Sequence, residues 1–281
     1  MATPLIMKER GFEMSGFTYK GYSTNTILDS KLILATFSAL DDVQGHIRDN
    51  LIGETTMTRP IPNEYGTQYQ NPTFEYCLIK NNNSPFTDEE QITIERWLTS
   101  PKFSSPLEII DCDGNVLIVY DGKFIETNWV VTEGGYAGVR FKFQSASPYP
   151  YRNYTKTFEI RGNNTIVLNC ESDELEEYTY PTIEFYAPSS TNNVTITNTT
   201  DDNNSLTIRA LDRLRITMDC NHCILKDETS GVVDFDDVGW ADVGNIYWLR
   251  LLSGNNILSC SGNVDLTISY KAVVKKVGDW L

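Results

Sequence analysis

The chain has 281 residues, 40% hydrophobic and 11% aromatic, enough to fill the core of one large domain or two ordinary ones and too apolar for extended disorder. Its formal net charge of -15 speaks against nucleic-acid binding, because gripping a polyanion needs clustered Lys and Arg, and Lys275-Lys276 is the only tight basic pair. No run approaches the roughly 18–20 apolar residues that cross a bilayer, so no membrane insertion is expected.

The first ten residues place their charges after a short apolar stretch, the reverse of a secretory signal, so the expectation is a soluble chain made in a cytoplasm. Residues 17–22 alternate and break at Gly21, as a strand entering a turn does. Residues 32–37 form a second β-leaning run. Residues 41–72 are polar and rich in turn formers, with Pro60 and Pro62 breaking regular structure, and read as a long excursion or arm. A strand resumes at 74–79 and ends in the Asn-rich turn 81–85.

Residues 87–98 carry the one strong helix signal. Thr87 and Glu90 are spaced as a capping box, Asp88 and Glu89 suit the positive end of the helix dipole, and Ile94, Trp97 and Leu98 share a face. Pro101 stops continuation. Strands are expected at 107–110, 116–120, 129–131 and 139–143, with Asp113-Gly114 marking a hairpin turn.

After a Pro-Tyr-Pro run at 148–150 the texture changes to short alternating stretches at 158–160, 166–168, 183–185, 194–196, 206–208, 214–218, 248–251 and 264–268. Turn signals lie at 162–163, 201–204, 253–256 and 261–263. This spacing predicts an antiparallel sandwich or jelly roll. The expected domains are therefore 1–147 and 148–281, both mainly β, the first with a single helix.

Sequence offers little chemistry. Cys220 and Cys223 flank His222 like part of a zinc site, but a fourth ligand would have to come from Cys170 or Cys260; a strand-end turn is the plainer reading. Asp234, Asp236, Asp237 and Asp242 could face calcium but lack the glycine and terminal glutamate of an EF-hand loop, so an acidic solvent loop is expected. Neither His46, with Asp29 and Asp49 on either side in sequence, nor His222 has a persuasive serine or cysteine context. Gly134, Gly135 and Gly138 precede no helix and read as a turn. The six cysteines are thinly spread and read as reduced, mostly buried thiols. No catalytic residue, cofactor or metal is assigned, and the expectation is a structural protein and not an enzyme.

Several of these pieces, taken in order, resemble the distal tail protein (Dit) family of siphophages. They are the opening strand and turn at 17–22, the strand 74–79 leading to an acidic helix that ends in Arg96, Trp97 and Leu98, then 107–111, 139–143 and the aromatic, proline-bearing 147–151. Later, residues 248–257 followed by 260–262 resemble the family's late strand, Gly-Asn turn and strand. The long segment 41–72 and the acidic insert 227–245 depart from it.

The resemblance implies an N-terminal β-sandwich-like domain with one helix that builds a hexameric ring, and a galectin-like C-terminal sandwich on its periphery. It implies a virion protein of the tail tip, with the tail tube protein, the tail-tip hub or tail-associated lysin and a receptor-binding protein as partners, and DNA passing through the channel without specific binding. The alternative is a carbohydrate-binding protein that reads a bacterial surface glycan through Trp240 and Trp248, although the galectin sugar signature is missing.

Overall fold

The structure is a computed structural model that describes residues 5–6, 14–36, 48–52, 64–111, 113–187, 191–211, 215–227, 231–232 and 247–275. Two compact units divide the chain: one runs up to Pro150 and takes back Lys275, and the other runs from Tyr151 to Val274.

The first unit holds β1 (Leu5–Ile6), β2 (Met14–Tyr19), β3 (Tyr22–Ser23), β4 (Leu32–Thr36), β5 (Arg48–Ile52), β6 (Glu64–Tyr69), β7 (Thr73–Lys80), helix α1 (Asp88–Thr99), β8 (Ser105–Asp111), β9 (Val116–Thr132) and β10 (Gly135–Ser145). All the pairings are antiparallel. One set runs β1-β4-β7-β10-β9 and another β3-β2-β8-β9. The expected strands 116–120 and 129–131 are thus one strand that serves both sets. It changes neighbour at Gly122, which stands opposite both Ser105 of β8 and Ser145 of β10. A Cβ there would lie 2.3 Å from the Gln144 carbonyl oxygen and 2.5 Å from the Phe143 ring, so only glycine lets the backbones close at this corner.

Between the sets lies an aromatic core. Phe17 and Tyr19 of β2 meet Phe124 of β9 at 5.8 and 4.9 Å between ring centroids, and Phe124 meets Phe141 and Phe143 of β10 edge-on at 5.1 and 5.2 Å. Part of the segment expected to be an irregular excursion is regular: β5 and β6 pair as a two-stranded ribbon, with Arg48 opposite Tyr69. Pro60 and Pro62, which suggested irregularity, are not among the residues of these two strands.

The second unit holds β11 (Tyr151–Cys170), β12 (Thr182–Tyr186), β13 (Thr191–Asn198), β14 (Asn204–Leu211), β15 (Arg215–Asp219), β16 (Ile224–Asp227), β17 (Gly231–Val232) and β18 (Gly254–Val273). Its spine is the twenty-residue antiparallel pair β11–β18. Residues 162–163 and 261–263, expected as turns, lie inside these strands. Their glycines oppose each other, Gly162 against Gly262, and both have positive φ, 83° and 126°.

The pair of glycines marks a bend. On one side of it β18 pairs through residues 258–261 with β13, which carries β14; on the other it pairs through 265–269 with β12, which carries β15, β16 and β17. The long ribbon therefore belongs to two strand sets and turns the corner between them at its glycines. Alternate residues face the core throughout, including Ile166, Leu168, Phe185, Ile196, Met218, Leu258, Leu266 and Ile268.

Gly262→Ala is expected to cost the chain about 1–3 kcal/mol, since the left-handed backbone strains any L side chain and the new Cβ would stand 2.9 Å from the Asn193 carbonyl oxygen. Gly162→Ala meets no atom within 4 Å and should cost less. Urea unfolding of both variants checks the order; equal losses would sink the corner argument.

Candidate functional site

Helix α1 is fixed at three places. At its start the capping box forms as the sequence predicts: Glu90 N–H donates to Thr87 Oγ1 at 3.3 Å, and Thr87 N–H donates to Glu90 Oε2 at 2.7 Å. The same carboxylate holds the buried Lys80 ammonium at 2.6 Å, tying the helix to the end of β7. Lys80 also donates to the Pro85 carbonyl at 2.9 Å and sits over the Phe86 ring. Burial pushes the Glu90 carboxyl up, but the hydrogen bonds from Lys80 and the Thr87 amide, with the lysine charge, outweigh it and hold the group below its ordinary value.

Midway along α1, Glu95 accepts from Thr127 Oγ1 at 3.0 Å and from Trp129 Nε1 at 2.8 Å, both on β9. Near the end, Trp97 stacks on Phe17 at 5.2 Å, and its indole N–H donates to the Tyr19 carbonyl at 2.8 Å. Ile94, Trp97 and Leu98 are buried as their spacing requires. The helix is thus bound to β2, β7 and β9 together.

A second polar knot lies in the other unit. Asp201, in the turn between β13 and β14, has a side chain only 3% exposed. Arg250 grips it with two donors, Nε to Oδ2 at 2.8 Å and a guanidinium NH2 to Oδ1 at 3.0 Å, and Tyr247 OH donates to Oδ2 at 2.8 Å. The guanidinium lies over the Tyr178 ring at 4.0 Å. Burial raises the Asp201 carboxyl, yet the bonds from Arg250 and Tyr247 outweigh it and leave its pKa lowered.

This knot explains why 248–251 is no regular strand despite its alternation. Its backbone is satisfied elsewhere: Asn198 donates to the Arg250 carbonyl at 3.0 Å, Leu251 bridges to Thr179, and the buried Asn256 side chain bonds both Leu252 N–H and its carbonyl. Arg250 and Asn198 were missed in sequence because their partners, Asp201 and Arg250, lie 49 and 52 residues away in the chain.

The sequence-nominated metal and catalytic residues do not assemble. Cys220 to Cys223 form the turn between β15 and β16. Burial pushes the Cys220 thiol up to about 12, far from the thiolate that binds metal or attacks, while Cys223 is exposed. His222 Nδ1 lies 2.8 Å from Asp219 Oδ2. Among the described residues no three His, Cys, Asp or Glu side chains group to hold a metal. Asp29 and Asp49 are exposed, and His46, Asp234, Asp236, Asp237, Asp242 and Trp240 lie outside the described residues. Trp248 is half-buried and packs against the core of its unit. Gly135 and Gly138, expected in a turn, belong to β10, where Gly138 sits against Leu78 and Cys77. Among the described residues no helix is long and apolar enough to cross a membrane.

What these side chains do is hold layers, helix and turns in place. Two family models match the chain, a phage tail protein N-terminal domain over residues 12–147 and a phage tail C-terminal domain over residues 149–270. The chain belongs to a phage tail protein family. No curated protein sequence matches it.

Solved structures add the fold of this tail protein. It is similar to the Dit protein (gp 19.1) of SPP1, described as a paradigm of the hub adsorption apparatus in phages infecting Gram-positive bacteria, with a TM-score of 0.60 at 15% identity over 92% of this chain and 98% of that one. Chains of the phage P2 baseplate in its activated conformation also align, with Ca at a TM-score of 0.46 and 12% identity, and with Sr at 0.45 and 14%, each over 88% of this chain and 93% of that one. The mainly β architecture, with one helix among the described residues, is the tail-protein fold.

Proposed function

We propose that this tail protein is a distal tail protein: six copies close into a ring that joins the tail tube to the baseplate hub and anchors adsorption components. The first unit builds the ring and the second stands at its periphery. The observation that carries this reading is the likeness to the SPP1 hub protein across nearly the whole of both chains, 92% and 98%. Partners are then the tail tube protein, the tail-tip hub or tail-associated lysin, and a receptor-binding protein, all in the virion at the tail tip. A formal charge of -15 per copy suits a channel through which DNA slides without sticking.

The glycan-binding alternative has less support: Trp248 is spent on core packing. The test is the solution mass of the full chain by light scattering, with electron microscopy of the same sample. A six-fold ring with a central hole is expected. A single-chain mass at every concentration, with no rings in the images, would overturn the reading.

A further inference from the structure

Two unlike apolar surfaces of the first unit remain unexplained by its own packing. One is convex: the tip of the β9–β10 hairpin, where Val131, 66% exposed, stands opposite Tyr136, 38% exposed, beside the exposed turn residue Glu133. The tip is stiff. Phe86 N–H donates to the Tyr136 carbonyl at 2.8 Å, and the indole of Trp129, held by Glu95, meets the Tyr136 ring edge-on at 6.0 Å.

The other surface is concave: an open groove of about 240 Å³ lined by Thr18, Lys20, Gly21, Ser105, Pro106 and Glu108. Tyr22, one residue beyond the Lys20-Gly21 turn, and Phe103, two residues before β8, are 57% and 81% exposed next to it in the chain.

These surfaces are unlike in shape; the tip carries the acid Glu133, and the groove carries the base Lys20 at its turn and the acid Glu108 on its β8 wall. They cannot meet within one chain. Ser105 of the groove stands opposite Gly122, and Val131 lies nine positions further along β9 than Gly122, roughly 30 Å of extended strand. A knob and a groove at different places on one chain are what a head-to-tail contact between copies requires, and such a contact generates a ring when its rotation closes.

We propose that the β9–β10 tip of one copy seats in the β2–β3/β8 groove of the next, with Val131 and Tyr136 against Tyr22 and Phe103 and Glu133 against Lys20. This assignment rests on the ring reading above and names the surfaces that make it.

The experiment compares the full chain with Glu133→Lys, Lys20→Glu, the double variant carrying both changes, and Val131→Asp, by light scattering across a concentration series. All three positions are exposed, so thermal unfolding of every variant, run at a concentration where the parent is a single chain, should match the parent and certify folding. Each single variant is expected to raise the concentration of half-assembly by about tenfold or more, since like charges would then face each other or a charge would enter an apolar seat. The double variant should recover most of the loss. If the parent assembles and the single variants assemble equally well, the contact assignment is overturned and the ring stands. If the parent stays a single chain throughout, the ring reading itself is overturned.

Discussion

Replacing Asp201 by alanine is expected to destabilise the chain by about 2–3 kcal/mol, because it removes the buried acceptor of Arg250 and Tyr247 and leaves the guanidinium, 31% exposed, only partly solvated. Arg250→Ala should cost at least as much, since the carboxylate it leaves behind is only 3% exposed. The double variant should cost clearly less than the two singles added, since neither charge is then left alone. Equilibrium urea unfolding of the three variants at neutral pH measures this, and a loss below about 1 kcal/mol for Asp201→Ala would show that the knot is not structural.

The same carboxylate sets a pH dependence. Its folded pKa is held below the unfolded value near 3.9. The stabilisation is therefore fully present above about pH 4 and lost as pH falls through the folded value. Glu90 is shifted in the same direction and adds to the acid sensitivity. Asp201→Ala should flatten the fall in stability between neutral and acid pH; an unchanged acid profile would assign it to other carboxylates.

Trp97→Ala is the second large effect, with an expected loss of about 3–5 kcal/mol. The indole is 6% exposed, stacks on Phe17 and donates to the Tyr19 carbonyl, so its removal opens a cavity and takes a donor from a buried carbonyl. Trp97→Phe keeps much of the stack and loses only the N–H donor, so it should cost about 1–3 kcal/mol. Thermal unfolding of both variants separates the packing and hydrogen-bond contributions. If they were equally destabilised, the ring contact with Phe17 would contribute nothing.

Sequence was informative wherever the deciding contacts are local. The helix is the clearest case: Thr87 and Glu90 are three residues apart, so their capping box can be read directly, and the burial of Ile94, Trp97 and Leu98 follows from 3.6-residue periodicity. The Asp113-Gly114 hairpin between β8 and β9 is equally local, with Gly114 at a φ of 85°. The order of such pieces sufficed to suggest a phage tail protein, and the family models match both halves.

The glycines at 162 and 262 look like turn signals because glycine permits positive φ. Whether a positive φ reverses a chain or bends a strand depends on its partner across the sheet, here another glycine 100 residues away. Trp248 alternates with its neighbours like a strand residue, yet its segment is fixed by Asn198, Asn256 and the Asp201 knot. Nor could the role of Glu95, which joins α1 to Trp129 of β9, be read from the chain. Sequence by itself therefore determined the helix, the alternation that makes each half a β structure, and the family. Tertiary structure alone decided where the long strands turn their corners, which charges are buried in pairs, and which apolar side chains were left facing outward. Those depend on long-range pairing, and no local pattern encodes it.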